Sequence, residues 1–165
     1  GNVMGPRGSV IPFFLKMKES GTLPITDPSM TRFNISLDDG VNMVLWAIEN
    51  MEGGEIFVPK IPSYRIMDVA NAVCPDCKKP IVGIRPGEKL HEEMITESDS
   101  YHTVDLEKYY AILPSTYEEE IEAYVKRHSA KRAPAGIAYS SDKNQDFLTE
   151  YQIKQLITLL EPETL

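Results

Sequence analysis

An amphipathic helix joined to a short buried strand by a double-glycine stop is the sequence feature that most constrains the fold. Ser36 is a favoured helix N-cap, and two aspartates follow in the first turn, where the helix dipole stabilises negative charge. The apolar residues that recur at helical spacing are Leu37, Val41, Val44, Leu45, Ile48 and Met51. Gly53-Gly54 ends this helix, and a β-forming run at residues 55–58 follows. A helix followed closely by a buried strand predicts an α/β architecture.

The same alternation continues on both sides of this pair. Extended segments or strands are predicted at residues 23–26, 32–35, 81–84 and 109–113. Helices are predicted at residues 10–17, 63–73, 117–127 and 149–160, and in a segment that holds Leu90 and Met94. No internal repeat or low-complexity segment interrupts this pattern, which indicates one α/β unit of ordinary globular composition.

The length and net charge of the chain exclude some classes of function. The chain has 165 residues, close to the roughly 150 residues of a single domain. Its 17 basic and 25 acidic residues leave a net charge of −8, which argues against a nucleic-acid binder but leaves room for a local basic pocket. The longest apolar run, residues 43–48, is far shorter than the roughly 18 residues of a membrane span. We therefore expect neither a nucleic acid nor a membrane as partner.

The beginning of the chain predicts a cytoplasmic fragment. Its first residues have neither the charged region nor the apolar core of a secretory signal, so a cytoplasmic location is expected. The chain also starts at Gly1, without an initiator methionine, in a segment typical of a strand end followed by a glycine-rich turn.

Two arginines are candidates for binding a phosphorylated ligand. Arg32 opens a predicted strand after a turn, and Arg85 closes another before a Pro-Gly turn. A guanidinium presents a planar fork of donors that matches phosphate oxygens, so a pair of them suits a pyrophosphate. Glu88 would then accept hydrogen bonds from a ribose diol. The alternative is that both arginines form surface ion pairs.

The Cys74-Pro75-Asp76-Cys77 motif is a single CxxC. A structural zinc ion generally needs four ligands, and His91 and His102 lie at spacings that match no standard zinc finger. The favoured interpretation is two reduced thiols in a surface turn, with zinc or a redox dithiol as alternatives. Since Ile95 stands where HExxH needs its second histidine, His91 is interpreted as structural.

The chain lacks the motifs of a self-contained nucleotide enzyme. Neither GxGxxG after a strand nor GxxxxGK[ST] occurs in it, so no dinucleotide or P-loop site can form from this chain alone. No obvious catalytic set is present either.

Four strings, taken together, carry a family resemblance. They are GNVMGPRGSVIPFF at 1–14, ITDPSMTRF at 25–33, GGEIFVPKIPS at 53–63 and GIRPGEKLHEEMI at 83–95. Together they closely resemble the C-terminal half of the inverting UDP-N-acetylglucosamine 4,6-dehydratases, in the extended short-chain dehydrogenase/reductase superfamily. The resemblance implies a Rossmann-like α/β enzyme of which this chain is the substrate-binding portion, with the dinucleotide-binding half absent. It further implies a nucleotide-sugar-binding core at residues 1–95 and a C-terminal extension at 96–165 that packs back toward the cofactor site.

Site residues follow from the resemblance position by position. The implied substrate contacts are Asn2, Arg7, Val10, Thr26, Arg32, Arg85 and Glu88. Within this set the two later arginines hold the pyrophosphate, Glu88 binds the ribose, and Thr26 lies near the uracil. The implied NADP contacts are Val3, Ser141, Asp142, Lys143 and Asn144. The resemblance implies no catalytic residue and no metal ligand in this chain, and Cys74 and Cys77 are not part of the family pattern.

The resemblance also implies a reaction. NADP⁺ takes a hydride from C4 of the sugar, water leaves from C6, and the hydride returns to C6 while C5 inverts, on a route to pseudaminic acid and related surface glycans. The full-length protein is expected to be a homo-oligomer that binds a UDP-sugar. The isolated chain is expected to be inactive, poorly soluble or self-associating, because it exposes apolar surface that should pack on the missing half.

Two alternatives to this function stay open at the level of sequence. A nucleotide-sugar epimerase or a retaining dehydratase would keep the two arginines and differ in the missing catalytic residues. Outside the enzymes, the chain could be a standalone binding or metal-linked module organised by the CPDC motif.

Overall fold

The computed structural model describes residues 2–3 and 9–160, with helices and strands alternating along the chain. The helices are α1 (Val10–Lys18), α2 (Leu37–Asn50), α3 (Ile66–Val73), α4 (Glu97–Ser100), α5 (Glu118–His128) and α6 (Glu150–Leu160). The strands are β1 (Asn2–Val3), β2 (Thr31–Ile35), β3 (Ile56–Pro59), β4 (Ser63–Arg65), β5 (Glu93–Ile95), β6 (Thr103–Asp105), β7 (Tyr109–Ile112), β8 (Lys131–Arg132) and β9 (Tyr139–Ser140). The predicted α/β class is confirmed.

The chain falls into two compact units that interleave along the sequence. The first comprises residues 1–37, 62–92 and 141–165, and the second comprises residues 38–61 and 93–140. The predicted functional division near residue 95 stays a prediction, because the compact units divide the chain in a different way and each is assembled from separate segments.

The first unit holds a small mixed sheet and three packed helices. β2 is its central strand, parallel to β1 and antiparallel to β4. A core that includes the fully buried side chains of Phe14, Leu23, Ile25, Val69 and Ile153 joins α1, α3 and α6. Burial of apolar side chains from three helices is the main stabilising contribution to this unit.

The second unit is built on a four-stranded antiparallel sheet in the order β3-β7-β6-β8. Ile121 and Tyr124 of α5 pack on Val104 and Ala111 of this sheet. A separate antiparallel pair joins β5 to β9. The helix begins with three glutamates and ends with Lys126, Arg127 and His128, an order that complements its dipole.

The apolar face of α2 is present, as predicted, but it is exposed. The side chains of this face, Leu37, Val41, Val44, Leu45, Ile48 and Met51, are between 50% and 66% exposed. The other side of the helix packs through Trp46, whose ring lies 5.2 Å from that of Phe57 and 4.4 Å from that of Tyr109. The helix therefore has two apolar sides, and only the side of Trp46 is covered. A helix that is apolar on both sides is normally buried on both.

Three local predictions were wrong. The helix predicted from Ser63 starts at Ile66, because Ser63 instead pairs with Phe33 in the sheet and donates its backbone N–H to the carbonyl of Asp146. Long-range strand pairing here outweighs the preference of serine for a helix N-cap.

The strand predicted at residues 81–84 is reduced to a single bridge. Ile81 pairs with Ile25, while Ile81, Val82 and Ile84 remain exposed, and Gly83 turns the backbone away with a φ of +87°. A left-handed glycine ends strand pairing at that point.

The helix predicted around Leu90 and Met94 does not form. Gly87, with a φ of +83°, precedes an extended segment in which the Leu90 carbonyl accepts from the Thr31 N–H, and Met94 lies in β5. Backbone partners some 60 residues away in the chain decide this conformation, which helical spacing alone does not reveal.

The interpretation of Cys74 and Cys77 as reduced surface thiols was also wrong. The two residues form a disulfide, with Cα atoms 5.4 Å apart, and Cys77 is only 8% exposed. Cys74 caps the C-terminus of α3, so the Pro-Asp turn brings the two Cα atoms within the distance that a disulfide spans.

We expect this disulfide to be a modest stabiliser. Its loop is very short, so the chain-entropy contribution is about 2 kcal/mol at most. A reducing agent should lower the midpoint of thermal unfolding of the wild-type chain and leave that of a Cys74→Ser/Cys77→Ser variant unchanged. Identical wild-type midpoints with and without the reducing agent would contradict this expectation.

Within residues 2–3 and 9–160, no helix is both long and apolar enough to cross a membrane.

Candidate functional site

A cavity of about 380 Å³ opens in the first unit. Its walls come from β1, β2, β4, the first turns of α1 and α3, and the loops before β2 and β5. The lining residues are Val3, Ser9, Val10, Ile11, Phe13, Phe14, Pro24, Thr26, Met30, Arg32, Asn34, Tyr64, Ile66, Arg85 and Glu88. The volume lies in the range of small-molecule sites, and an apolar wall with a few charged groups is their usual composition.

Six of the residues predicted to bind substrate or cofactor line this one cavity. They are Val3, Val10, Thr26, Arg32, Arg85 and Glu88. They come from positions separated by up to 85 residues, and the pairing of β1 with β2 brings the earliest of them beside the later ones. Arg7 lies outside the described residues, and for Asn2 the backbone alone is placed, opposite Asn34 in the sheet.

The guanidinium of Arg32 is held by backbone carbonyls. It donates to the carbonyl oxygens of Thr31 at 2.7 Å, Leu90 at 3.0 Å and Lys89 at 2.7 Å. Its Nε lies 3.9 Å from Oε1 of Glu92. This long contact with Glu92 is therefore the only sign among the described residues of the surface ion pair considered for Arg32. The guanidinium nitrogens of Arg32 instead tie the carbonyls of Lys89 and Leu90 to β2.

The Arg85 side chain is available at the cavity. It is exposed, and within the part of the chain that the structure describes its guanidinium has no hydrogen-bond or ion-pair partner. A free guanidinium keeps its full fork of donors for an anionic ligand. The surface ion pair considered from the sequence does not form with any of the residues that the structure describes.

Glu88 lies beside Arg85 because a tight turn joins them. The Glu88 N–H donates to the Arg85 carbonyl at 3.0 Å, and Oε2 of Glu88 accepts from the Arg85 N–H at 3.3 Å. Gly87 carries the positive φ that closes this turn. The turn therefore presents a cation and a carboxylate side by side at the cavity.

A turn at Asp27-Pro28 follows Thr26, which lines the cavity. Asp27 accepts hydrogen bonds from the hydroxyl and from the backbone N–H of Ser29, the latter at 2.8 Å. These two bonds, the hydroxyl first, lower the pKa of the Asp27 carboxyl, so it stays ionised and keeps the turn closed.

The segment at residues 141–144 lies apart from the cavity walls. Ser141 is fully buried, and its hydroxyl is bonded to Thr31 and to the Glu92 N–H. Asp142 and Lys143 are exposed, and the Asn144 side chain donates to the hydroxyl of Ser63 at 3.0 Å. The cofactor contact predicted for this segment stays a prediction, and for Ser141 the structure shows a packing role inside the protein.

Two polar residues of the cavity wall were not predicted from the sequence. Asn34 is 7% exposed and Tyr64 is 3% exposed, and both line the cavity. The signal for Asn34 was its position between Phe33 and Ile35, since a carboxamide inside a buried strand needs a polar neighbour or a ligand. Tyr64 carried no such signal, because β4 itself was predicted as a helix start.

The CPDC motif forms no metal site with the other residues that the structure describes. Among the described residues, no three His, Cys, Asp or Glu side chains are grouped as a metal site would require. The two sulfurs are bonded to each other, so neither is a thiolate ligand in this structure.

The fold and the cavity define an α/β protein with a basic ligand site. A family model described as polysaccharide biosynthesis protein matches residues 1–114. The UDP-N-acetylglucosamine 4,6-dehydratase (inverting) of Campylobacter jejuni is 47% identical over 163 residues, which cover 95% of this chain and 49% of that protein. The UDP-glucose 4-epimerase of Rickettsia canadensis is 44% identical over 117 residues, or 68% of this chain and 34% of that protein.

A solved structure has the same fold. The X-ray structure of Pen from Bacillus thuringiensis superposes with a TM-score of 0.78 at 33% identity, over 96% of this chain and 48% of that one. The chain belongs to the polysaccharide biosynthesis protein family. It spans about half the length of the curated relatives that it matches. These findings confirm the family resemblance identified from the sequence.

Proposed function

We propose that this chain is the substrate-binding part of an NADP-dependent UDP-N-acetylglucosamine 4,6-dehydratase that inverts C5. The observation that carries the proposal is the cavity that gathers Arg32, Arg85 and Glu88. The Campylobacter jejuni relative supports the choice of substrate, because 47% identity extends over 95% of the chain.

The cavity suits a nucleoside diphosphate. Arg85, with its donors free, is assigned to the pyrophosphate, and Arg32 contributes positive charge from the cavity wall. Glu88 is assigned to the ribose hydroxyls, and Thr26, which also lines the cavity, to the uracil side. In this assignment Val10 packs against the substrate, while Asn2 and Arg7 contact the sugar.

We assign to this chain only a small part of the contacts with the dinucleotide. Val3 lies in the cavity wall and is assigned to the nicotinamide side, with Asp142, Lys143 and Asn144 as the remaining candidate contacts. When bound, NADP supplies the hydride exchange that the reaction needs. Since the chain carries no glycine-rich dinucleotide motif, its own task is to bind and orient the sugar nucleotide.

The test is product analysis with the whole protein. We expect UDP-N-acetylglucosamine to be converted to a 4-keto-6-deoxy sugar nucleotide whose C5 configuration, read by NMR, is inverted. The isolated 165-residue chain should give no turnover. Turnover by the isolated chain, or no dehydration by the whole protein, would contradict the proposal.

A nucleotide-sugar epimerase is the second candidate. The observation that favours it is the 44% identity of the Rickettsia canadensis UDP-glucose 4-epimerase over 68% of this chain. The same product analysis separates the candidates, since an epimerase releases no water and changes C4 alone, and a retaining dehydratase leaves C5 unchanged.

Three further expectations belong to the same proposal. They are a cytoplasmic location, a homo-oligomer of the full-length protein, and a product that enters pseudaminic acid-type surface glycans. The last two follow from the family resemblance, and none of the three depends on the cavity.

A further inference from the structure

Three polar side chains meet in the first unit behind the cavity wall. The hydroxyl of Thr31 lies 2.8 Å from Nδ1 of His91 and 2.7 Å from the hydroxyl of Ser141. The Glu92 N–H donates to the same serine hydroxyl at 2.9 Å. Thr31 is 5% exposed and Ser141 is 0% exposed. A buried hydroxyl without a hydrogen-bond partner lowers the stability of the protein. Each hydroxyl of this group is therefore expected to donate its hydrogen to a neighbouring acceptor.

One direction satisfies every hydroxyl. Since the Ser141 oxygen already accepts from Glu92, its own hydrogen goes to Thr31, and the Thr31 hydrogen then goes to Nδ1 of His91. In this order Nδ1 of His91 is the acceptor, so the ring carries its hydrogen on Nε2. A ring that donated from Nδ1 would leave one of the two buried hydroxyl hydrogens, that of Thr31 or that of Ser141, without an acceptor among the described residues.

The relay of Thr31, Ser141 and His91 fastens the segment that follows Arg85 and Glu88. Around it, the Thr31 N–H donates to the Leu90 carbonyl at 3.2 Å, and the Ser141 N–H donates to the Glu92 carbonyl at 2.8 Å. Oε2 of Glu92 accepts from the Phe33 N–H at 3.0 Å. The far end of the Arg85–Glu92 segment is thus tied both to β2 and to the returning tail segment at Ser141.

We propose that Thr31, Ser141 and His91 are positioning residues for the ligand cavity, which hold the Arg85–Glu92 segment so that Arg85 and Glu88 keep their places. This inference rests on the proposed function for the identity of the ligand. It assigns to Ser141 a task that differs from the predicted cofactor contact, and it couples the tail of the chain to substrate binding. The residues act through the segment and do not touch the ligand.

The test uses the whole protein with UDP as the probe. Thr31→Val and Ser141→Ala each remove one hydroxyl, and we expect each to weaken UDP binding about tenfold, the effect of one lost buried hydrogen bond. Thr31→Ser keeps the hydroxyl and His91→Asn offers a carboxamide oxygen as the acceptor, so both variants should keep most of the wild-type affinity. Ser140→Ala is the matched control, because the neighbouring Ser140 hydroxyl is buried without a partner among the described residues.

Two readouts separate positioning from general stability. Hydrogen exchange at the amides of residues 31 and 141, which donate to the carbonyls of Leu90 and Glu92, should become faster in Thr31→Val and Ser141→Ala, well below their unfolding temperatures. Nitrogen NMR of His91 should show the hydrogen on Nε2 in the wild-type protein. Faster exchange with UDP affinity within twofold of the wild type would overturn the proposal, as would unchanged exchange or a hydrogen on Nδ1.

If the proposed function is wrong, these experiments give a different set of results. If the wild-type protein did not bind UDP, the assignment of the ligand would fail, while the exchange and NMR measurements would still decide whether the relay holds the segment.

Discussion

Replacing Arg85 by alanine is expected to weaken UDP binding by the whole protein between about 10-fold and 100-fold. This range corresponds to the loss of charge-assisted hydrogen bonds to a phosphate group. Arg85 is the informative position because its guanidinium has no hydrogen-bond or ion-pair partner among the described residues, so the substitution breaks no such bond among them. Arg32 is a poorer probe, since its replacement would also release the carbonyls of Leu90 and Lys89.

The control for Arg85→Ala is Arg65→Ala. Arg65 lies in the same unit and outside the cavity, where it pairs with Asp68 at 3.6 Å. The control changes net charge by the same amount and should leave the UDP dissociation constant unchanged in titration calorimetry. The Arg85 effect should also shrink as salt is added, because it is electrostatic. An Arg85→Ala protein with the affinity of the wild type would remove the basis of the proposed site.

The isolated 165-residue chain is expected to self-associate through the exposed apolar face of α2. Covering each of its six half-exposed side chains contributes about 1 kcal/mol, and together they form a continuous apolar strip. A double substitution, Leu45→Glu and Ile48→Lys, should convert the oligomers seen by light scattering into monomers. Asn42→Lys, an exposed polar position on the same helix, is the matched control and should not disperse them.

The same double substitution should have the opposite consequence in the whole protein. Because this face is expected to be covered there, placing two charges on it should lower the free energy of unfolding by about 3 kcal/mol or more. A monodisperse monomer of the unsubstituted isolated chain would contradict the prediction, and so would a whole protein that tolerates the two charges without loss of stability.

Periodicity predicted the long elements because their apolar spacing is a local property. The helices α1, α2, α5 and α6 and the strands β2, β3 and β7 lie where the sequence placed them. The segment from Ile81 to Met94 was predicted wrongly for a physical reason. Its backbone partners lie on β2 and on the residues around Ile25 and Ser141, and no local pattern encodes such distant hydrogen bonds.

The candidate site also contains some features that the sequence could identify and others that only the structure reveals. Residue type and local turn chemistry are enough to identify Arg32, Arg85 and Glu88 as candidates, because few side chains suit a pyrophosphate and a ribose. The carbonyl bonds of Arg32 and the relay that contains Ser141 depend on which segments meet in space, so residue type could not reveal them.

By itself, the sequence determined the α/β class, the family and the cationic residues offered to an anionic ligand, since these depend on composition, spacing and short motifs. The tertiary structure alone decided that Arg85 is free among the described residues while Arg32 is occupied, and that the longest helix, α2, exposes its apolar face. The reason is that burial and hydrogen-bond partnership are properties of pairs of segments, and the chain brings those segments together only when it folds.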